Sequence, residues 1–289
     1  MKGILLAGGS GSRMKPLSTA TNKQLLAVYN KPLIYYPLAN LMQAGIREIL
    51  LITSPAHSAG FKQLLGDGSQ LGISISHAVQ EQPRGIAEAL IIGADFCGTE
   101  GVALALGDNV FYGAGFAGSL KNAAGRSEGA TVFACAVEDP ERFGVVEMTE
   151  DGRAVSLEEK PAEPASNLAV TGLYFYDRQA VEIARELKPS ARGELEITDV
   201  NRAYLERGQL NVELLPESTS WLDTGTHEAL LQASNEISTF ESGGNPLVGS
   251  IEATAFEMGF IDSPRLQALA ADFSGSNYGR RLLELAGQD

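Results

Sequence analysis

A glycine-rich loop near the amino terminus ends in an arginine, a combination suited to holding phosphate. The apolar run Ile4–Ala7 is typical of a strand buried on both faces, and it leads directly into the loop Gly8–Gly11. Glycine lets the backbone turn sharply and present N–H groups to an anion. Arg13 and Lys15 can neutralise the negative charge of that anion. The alternative is a strand-to-helix turn in which glycine serves geometry alone.

Two well-known phosphate-binding motifs do not fit this loop. The P-loop requires Gly-Lys followed by Ser or Thr, and that combination does not occur in the chain. The dinucleotide fingerprint begins at Gly9 and Gly11, but its third glycine position is Met14, where close helix packing would fail. The loop therefore favours neither a P-loop ATPase nor a dehydrogenase.

Two aspartates stand where a divalent metal could be held. Asp108 follows the apolar run Val102–Leu106 in a Gly-Asp-Asn turn, and Asp223 lies in the segment Trp221–Thr226 directly before a helical pattern that Thr226 could cap. Two carboxylates with Mg²⁺ between phosphate oxygens would suit phosphoryl or nucleotidyl transfer. Asp and Asn also favour turns without any metal, so the residues alone leave both interpretations open.

Other polar residues are less informative when taken singly. Lys23 follows the glycine loop and Lys160 ends a predicted strand, but isolated lysines are usually solvated cations. His77 and His227 stand apart from potential ligands or nucleophiles, which favours structural roles. The motifs G-x-S-x-G, H-E-x-x-H and C-x-x-C do not occur, so covalent acyl transfer and zinc chemistry have no support.

Segments with strand and helix character alternate through the first half of the chain. The predicted strands there are Ile4–Ala7, Glu48–Thr53, Ile73–Val79 and Val102–Leu106, and the predicted helices begin near Pro32 and cover Ser58–Leu65, Ile86–Phe96 and Phe116–Ala124. Such alternation predicts βαβ units, in which ligands bind beyond the carboxyl ends of the strands. We therefore expect the glycine loop and Asp108 to share one rim.

The second half is richer in strands and ends in helices. We predict strands at Thr131–Val137, Gly144–Met148, Val155–Glu159, Val170–Tyr176 and Leu210–Leu215, and helices near Arg178–Leu187, Thr198–Arg207, His227–Thr239, Pro264–Ala270 and Tyr278–Ala286. The expected fold is a Rossmann-like α/β fold with a mixed, mainly parallel sheet flanked by helices. Residues 1–240 would form this domain and residues 241–289 a small helical extension.

Composition restricts the partners and the compartment. The net charge of −14 and the lack of a basic stripe argue against nucleic acid. Cys97 and Cys135 lie in apolar surroundings, which predicts buried thiols in a reducing cytoplasm. The first apolar run is too short for a signal peptide and no stretch approaches the roughly 20 apolar residues of a membrane span, so we expect no membrane association.

Seven motifs in order give the chain a resemblance to a known family over nearly its whole length. They are Leu6–Arg13, Asn22–Leu26, Lys31–Leu38, Leu106–Asn109, Glu158–Pro161, Gly193–Asn201 and Trp221–Thr226. In this order and spacing the chain resembles the glucose-1-phosphate thymidylyltransferases, or dTDP-glucose pyrophosphorylases, of the sugar nucleotidyltransferases. The resemblance implies Mg²⁺-dependent transfer from dTTP to a sugar 1-phosphate, with glucose 1-phosphate expected first, by a homotetramer.

The resemblance also implies roles for individual residues. It assigns catalysis to Arg13, Lys23, Asp108, Lys160 and Asp223, with Asp108 and Asp223 as the metal ligands. Nucleotide binding would fall to Leu6, Gly8, Gly9, Gly11, Ser12, Arg13, Gln24, Gln80 and Gly85. The sugar phosphate would be held by Asn109, Gly144, Glu159, Lys160, Val170 and Arg192.

Some positions depart from the family pattern. Gln80 and Gly85 keep the spacing of the family's base-recognition residues, but Glu81 replaces the proline after Gln80, so a guanylyl- or uridylyltransferase acting on a less common sugar 1-phosphate stays an alternative. The departures also suggest that a thymidylyltransferase would serve a specialised deoxysugar or antibiotic pathway. Phe143 replaces a tyrosine and Leu168 an aromatic residue, which could reshape the sugar pocket. Glu217 replaces an arginine of a second nucleotide-sugar site in the family, and because an acid repels a diphosphate we expect weak or absent feedback inhibition by dTDP-rhamnose.

Overall fold

The computed structural model describes residues 1–9 and 11–287, so Ser10 of the glycine loop and the last two residues of the predicted extension lie outside the described residues. The strands are β1 (Lys2–Ala7), β2 (Ala27–Val28), β3 (Lys31–Pro32), β4 (Glu48–Thr53), β5 (Ser74–Val79), β6 (Val102–Leu106), β7 (Asn109–Gly113), β8 (Ala130–Ala136), β9 (Gly144–Met148), β10 (Ala154–Glu159), β11 (Leu168–Tyr176), β12 (Leu210–Leu214) and β13 (Thr219–Asp223). The helices are α1 (Tyr35–Gln43), α2 (Ser58–Leu65), α3 (Glu88–Ile92), α4 (Ala94–Cys97), α5 (Phe116–Ala124), α6 (Ala180–Glu186), α7 (Ile197–Glu206), α8 (His227–Ser242), α9 (Ile251–Glu257), α10 (Ser263–Ala271) and α11 (Asn277–Ala286).

The first half of the chain builds the parallel part of a mixed central sheet. Strand β1 lies between β4 and β6, and β5 follows β4, with all four strands parallel. Leu6 pairs with Leu106, and the N–H of Gly107 donates to the carbonyl of Leu6 at 2.9 Å. The glycine loop and the turn that carries Asp108 therefore share one rim, as predicted.

Strand β11 changes partners along one of its edges and thereby opens the sheet. Its first residues, Ala169 and Val170, pair with β9, whereas Leu173 to Tyr176 pair with β6. Its other edge pairs with β8, which in turn pairs with β12. The change of partner falls around Gly172, so the start of β9 and the end of β6 flank an opening at this point.

The predicted fold class is confirmed, since helices cover both faces of this sheet. Ile4 and Leu6 of β1 point into one buried apolar cluster and Leu5 and Ala7 into the other, as expected for a strand buried on both faces. Because the apolar run of β1 is unbroken, this single strand contributes side chains to both apolar clusters. The rigid sheet then fixes the positions of the loops at its rim.

The sequence analysis missed an antiparallel pair of strands beside the rim. Strands β7 and β13 pair with Asp223 opposite Asn109, where only turn residues were predicted. Short segments with mixed polar residues carry a weak strand signal. Their partner strands are more than 100 residues away, so local patterns could not identify the pairing. The pairing places Asp223 next to the turn that carries Asp108.

Several helix boundaries also differ from the prediction. The helix expected over Ile86–Phe96 is divided into α3 and α4 at Gly93, and α9 was not predicted. The Thr226 hydroxyl caps α8 as predicted by accepting from the Ala229 N–H at 3.2 Å, but α8 continues to Ser242, past the expected domain boundary.

Two further predictions concern the thiols and membranes. Cys97 is buried as predicted, whereas Cys135 is only partly buried, and burial raises the pKa of each thiol to about 11.

Among residues 1–9 and 11–287, we find no helix with the length and apolar character that crossing a membrane demands.

Candidate active site

Polar residues singled out in the sequence line two adjoining cavities at the rim. The larger, of about 530 Å³, is lined by residues that include Arg13, Asp108, Asn109, Gly144, Glu159, Lys160, Val170 and Asp223. The smaller, of about 190 Å³, is lined by Gly9, Gly11, Ser12, Arg13, Met14, Lys23, Gln24, Asp108 and Gly225. Arg13 and Asp108 belong to both linings, so the cavities meet at these two side chains. Of the other predicted site residues, Leu6, Gly8, Gln80, Gly85 and Arg192 line neither of the two.

The glycine loop forms one wall of the smaller cavity. Gly11 has a φ of 59°, in the left-handed region that glycine adopts without strain. Its carbonyl accepts from the Ser18 hydroxyl at 2.7 Å, and a side chain at Gly11 would meet Ser18 at 3.1 Å. The loop is thus closely packed behind the cavity and can present backbone rather than side chains to a ligand.

Lys23 forms the principal ion pair of the site. Its side chain is 6% exposed, and Nζ lies 2.8 Å from Oδ2 of Asp108. The helical turn that carries Lys23 is capped by Asn22, whose side-chain amide also donates to the carbonyl of Ala7 at 3.2 Å. The turn is therefore tied to the end of β1, which fixes the cation beside the glycine loop.

Buried polar groups of the smaller cavity point to a polar ligand. Gln24 is 5% exposed, and its Oε1 is buried without a hydrogen-bond partner in the described residues. An unsatisfied buried acceptor costs about 1–3 kcal/mol. A ligand with a hydroxyl or N–H donor would satisfy it.

The two aspartates have opposite pKa shifts, because Lys23 is hydrogen-bonded to Asp108 whereas burial dominates at Asp223. Burial alone would raise the pKa of Asp108, but the Lys23 ammonium and the Asn109 amide outweigh it and lower that pKa. Burial, followed by the negative charge of Asp108, raises the pKa of Asp223. Arg13 and Arg142 partly offset this effect, and Arg142 Nη2 lies 3.9 Å from Asp223 Oδ2. The site thus concentrates negative charge that a further cation would relieve.

The donor set of this pair suits Mg²⁺. Magnesium is commonly held by one or two carboxylates together with substrate phosphates and water. Asp108 and Asp223 meet that description, because Asp223 pairs with Asn109 across β13 and β7 and the Thr224 N–H donates to the Asp108 carbonyl at 3.2 Å, which brings the two residues together. Among the residues described, no cluster of three or more His, Cys, Asp or Glu side chains could hold a metal by itself. Substrate oxygens would have to complete the coordination.

Asn109 holds Asp108 in place and was expected only to contact the sugar phosphate. Its Nδ2 donates to Asp108 Oδ1 at 3.1 Å, and its Oδ1 accepts from Trp221 Nε1 at 2.6 Å and from the Gly172 N–H at 3.0 Å. A side chain at Gly172 would lie 2.6 Å from the Asn109 amide, so only glycine fits there. No pattern in the sequence identified Gly172. Trp221 lies in the segment Trp221–Thr226, and the turn predicted there does not require a tryptophan, which was the only sign that Trp221 has a further role.

The opposite end of the larger cavity carries Glu159 and Lys160. Glu159 accepts from the Thr198 hydroxyl at 2.6 Å, and Thr198 was not among the predicted site residues. A side chain at Gly144 would approach Thr198 Oγ1 to 3.1 Å, which keeps the floor of the cavity open beside Glu159. Lys160 has a φ of 47°, a left-handed conformation uncommon for residues other than glycine. Strained backbone of this kind is frequent at functional sites.

Arg192 approaches this end from outside the cavity. Its Nη2 donates to Glu196 Oε2 at 2.7 Å and to Glu159 Oε1 at 3.2 Å, and its Nε donates to Glu196 Oε1. In this arrangement the guanidinium contacts the cavity only through Glu159. Its predicted contact with the sugar phosphate would require a rearrangement of that pair.

The predicted base-recognition residues lie behind the glycine loop. Gln80 is 4% exposed, and its Nε2 donates to the carbonyl of Gly85 at 3.2 Å. Gly85 has a φ of 111°, and a side chain there would meet the backbone of Leu195 at 2.3 Å. The two residues are brought together with Gly8, because a side chain at Gly8 would lie 2.3 Å from Gln80 Oε1.

A glycine loop suited to an anion, two partly buried acids and an adjoining polar cleft at the rim of such a sheet define a nucleotidyl transferase site. Residues 2–239 match the family described as "Nucleotidyl transferase", and the chain belongs to this enzyme family. Its curated relatives carry a more specific name. A protein named glucose-1-phosphate thymidylyltransferase from Neisseria meningitidis serogroup A is 56% identical over 285 residues, covering 99% of both chains.

Two further proteins support the assignment. A glucose-1-phosphate thymidylyltransferase from Mycolicibacterium smegmatis is 54% identical, again covering 99% of both chains. A solved structure of UDP-glucose pyrophosphorylase complexed with UDP-glucose is 25% identical, has a TM-score of 0.74 and covers 82% of this chain and 98% of its own. The predicted resemblance and fold are thereby confirmed.

Proposed function

We propose that this protein transfers a thymidylyl group from dTTP to a sugar 1-phosphate, with glucose 1-phosphate as the first candidate. The observation that carries the proposal is the meeting of three features at one rim: the glycine loop with Arg13 and Lys23, the acids Asp108 and Asp223, and the cleft that ends at Glu159. The names of the curated relatives support thymidylyl transfer to glucose 1-phosphate.

The reaction needs positioning and charge neutralisation rather than a covalent enzyme intermediate. A phosphate oxygen of the sugar 1-phosphate forms a bond to the α-phosphorus of the triphosphate, and the bond to the bridging oxygen breaks, so that pyrophosphate leaves in line. Arg13 and Lys23 would bind the pyrophosphate portion, and Lys160 the sugar phosphate. Mg²⁺ held by Asp108 and Asp223 would neutralise phosphate oxygens around the reacting phosphorus.

The glycosyl part of the substrate would lie in the larger cavity. Glu159 and the backbone of Gly144 and Val170 offer acceptors and donors for sugar hydroxyls at its floor. Because Thr198 donates to Glu159, the carboxylate is oriented towards the cleft before a sugar arrives.

One experiment tests the proposal directly. Purified protein would be supplied with Mg²⁺ and with dTTP, UTP, GTP, CTP or ATP against several sugar 1-phosphates, and pyrophosphate release would be measured. We expect dTTP with glucose 1-phosphate to give the highest kcat/KM, and EDTA to abolish release. No release with any pair would refute nucleotidyl transfer to sugars, and undiminished release in EDTA would refute the metal.

The same assay addresses the second candidate, a uridylyltransferase. The similarity to a UDP-glucose pyrophosphorylase favours including UTP, which differs from dTTP at the base only by the 5-methyl group. A guanylyltransferase acting on a less common sugar 1-phosphate is the remaining alternative. A higher kcat/KM with UTP or GTP than with dTTP would replace the leading proposal.

We also propose a cytoplasmic homotetramer, as the family resemblance implies. The nucleoside triphosphate and sugar phosphate substrates are cytoplasmic metabolites, which supports that compartment. Light scattering coupled to size-exclusion chromatography would measure the assembly, and a monomer at micromolar concentration would contradict it.

A further inference from the structure

Thr224 follows Asp223 directly and contacts the turn that carries Asp108. Its side-chain hydroxyl donates to the carbonyl oxygen of Asp108 at 2.8 Å, and its backbone N–H donates to the same oxygen at 3.2 Å. A carbonyl oxygen has two lone pairs, so it accepts both bonds at once. The side chain of Thr224 is fully buried, which protects the hydroxyl bond from water. Thr224 therefore ties together two turns that are far apart in sequence.

This contact begins where the strand pairing ends. Strands β7 and β13 pair as far as Asn109 opposite Asp223, and the next position along would set Asp108 opposite Thr224. Asp108 itself lies in the turn between β6 and β7, outside either strand. The N–H of Thr224 extends the pairing by one step, and its hydroxyl adds the shorter of the two contacts. The backbone of Asp108 is thereby fixed relative to that of Asp223.

The contacts of the Asp108 carboxylate have a different effect. Its Oδ2 accepts from Lys23 at 2.8 Å, and its Oδ1 accepts from the Asn109 amide at 3.1 Å. These bonds orient the carboxylate about its own side chain. The bonds from Thr224 instead hold the main chain of Asp108, so they set the spacing between the two acids.

The segment after Thr224 lies close to the charged groups of the rim. A side chain at Gly225 would lie 3.2 Å from Oδ2 of Asp223 and 3.1 Å from Nη2 of Arg13. Helix α8 begins shortly afterwards and fixes the other end of this segment. A shift of the segment would therefore move Asp223 and disturb its surroundings.

We infer that Thr224 is a positioning residue for the metal site, because its hydroxyl fixes the spacing of the two carboxylates that would share one Mg²⁺. The inference rests on the proposed function for the presence of the metal. Partners that hold metal ligands in place commonly change metal affinity by about 10- to 100-fold when they are removed. Thr224 lies inside the motif Trp221–Thr226, in which the family resemblance assigned a role only to Asp223.

The test is Thr224→Val, which removes the hydroxyl and keeps the shape of the side chain. The backbone N–H remains, so the variant isolates the hydroxyl bond. Electron paramagnetic resonance would count unbound Mn²⁺ with dTTP present and sugar 1-phosphate absent, after correction for the Mn²⁺ that dTTP binds without protein. We expect the dissociation constant of Mn²⁺ to rise about ten-fold. In steady-state kinetics the KM for the sugar 1-phosphate at saturating Mg²⁺ should not change.

Two control variants separate positioning from stability. Thr224→Ser keeps the hydroxyl and loses a buried methyl group, so it should melt at a lower temperature but bind Mn²⁺ like the parent protein. Thr239→Val makes the same change as the test at an exposed position on α8, where the hydroxyl also donates to a backbone carbonyl, and should alter neither property. A Mn²⁺ dissociation constant within two-fold of the parent in folded Thr224→Val, or an equal loss in Thr224→Ser, would overturn the inference.

Hydrogen exchange measured without any ligand separates this inference from the proposed function. In Thr224→Val the amides of residues 106–112 and 219–226 should exchange faster than in the parent, whereas in Thr224→Ser they should exchange at nearly the parental rate. Unchanged exchange in Thr224→Val would overturn the inference even in an active thymidylyltransferase. Faster exchange in a protein that binds no Mn²⁺ beside dTTP would refute the proposed metal and still support the placement of Asp108 by Thr224.

Discussion

Charged side chains serve different purposes in two regions of this molecule. The first is the rim, formed by Arg13, Lys23, Asp108 and Asp223. The second, which we call the junction, lies where α8 meets the carboxy-terminal helices and contains Lys31, Glu241, Glu252, Tyr278 and Arg281. Both regions border cavities, since Glu241 and Arg281 of the junction line one of about 630 Å³, but the two regions differ in how far their charges are paired within the chain.

At the junction the central charges, those of Lys31, Glu241 and Arg281, are paired within the chain. Lys31 Nζ lies 2.9 Å from Glu241 Oε1, and the two side chains are 1% and 2% exposed. Glu241 also lies 3.4 Å from Arg281 Nη1 and accepts from the Val248 N–H at 3.0 Å. Burial lowers the pKa of Lys31, and the charge of Glu241 opposes that effect. The network therefore ties α11 to α8 and to strand β3.

At the rim the balance is incomplete. Lys23 satisfies Asp108, but burial and repulsion from Asp108 raise the pKa of Asp223. Removing one partner from a closed network is costly, because it leaves a buried ion unpaired. An open one stores unfavourable energy that a bound cation and phosphates can relieve. The comparison predicts loss of activity from mutations at the rim and loss of stability from mutations at the junction.

The largest effect is expected for Asp223→Asn. Removal of this carboxylate should lower kcat by about 10³-fold, because the proposed Mg²⁺ would lose one of its two protein ligands. The melting temperature should stay the same or rise, since a charge repelled by Asp108 is removed. Initial rates of pyrophosphate release and thermal unfolding measure the two effects. Asp272→Asn, at an exposed position, is the matched control, and near-normal turnover in Asp223→Asn would refute the metal assignment.

The second prediction concerns Glu241→Gln at the junction. Because it leaves Lys31 buried without its counter-ion, we expect the free energy of unfolding to fall by about 3–5 kcal/mol. Urea denaturation measures the loss, and the folded fraction should keep its kcat. Glu284→Gln, in a 56% exposed helical pair, should change stability by less than about 0.5 kcal/mol. Equal stabilities of the two variants would contradict the difference between buried and exposed pairs.

The third prediction is a pH dependence at Glu252. Burial raises its pKa, although Tyr278 donates a hydrogen bond to it, so the folded chain holds a proton at a pH where the unfolded chain has released it. The corresponding stability is complete below the unfolded pKa and is lost as the pH rises through the folded pKa. Glu252→Gln cannot ionise and should therefore gain stability relative to the parent as the pH rises from 4.5 to 8. Thermal unfolding at both pH values measures it, and a constant difference would rule the effect out.

The smallest effect is expected for Phe143→Tyr at the edge of the larger cavity. The Phe143 ring lies 5.1 Å from the Trp221 ring, and its residue lines the cleft. A hydroxyl added there could donate to the sugar phosphate, so we expect the KM for the sugar 1-phosphate to fall about two- to five-fold, with the KM for dTTP unchanged. Steady-state kinetics with each substrate varied in turn would show it. A change in the KM for dTTP without a change in the KM for the sugar 1-phosphate would contradict the prediction, because it would show that Phe143 affects nucleotide binding.

Much of the fold was predictable because its strongest signals are local. The apolar runs of β1, β4 and β6, the glycine loop and the cap at Thr226 each depend on a few consecutive residues. The pairing of β7 with β13 was not predictable, since neither segment alternates clearly and they are far apart in sequence. The same holds for α9, whose first residues are buried on all sides at the junction.

The sequence by itself determined which groups are available at the rim: a loop that can bind phosphate, two acids and two cations. Only the tertiary structure decided which atoms these groups present. Asn109 is held by Trp221 and Gly172 and so orients Asp108, and Gly85 and Glu88 together fix the orientation of the Gln80 amide. The physical reason is that residue type sets the donors and acceptors a side chain has, whereas its neighbours, often more than 50 residues away, decide which of them remain free for a ligand.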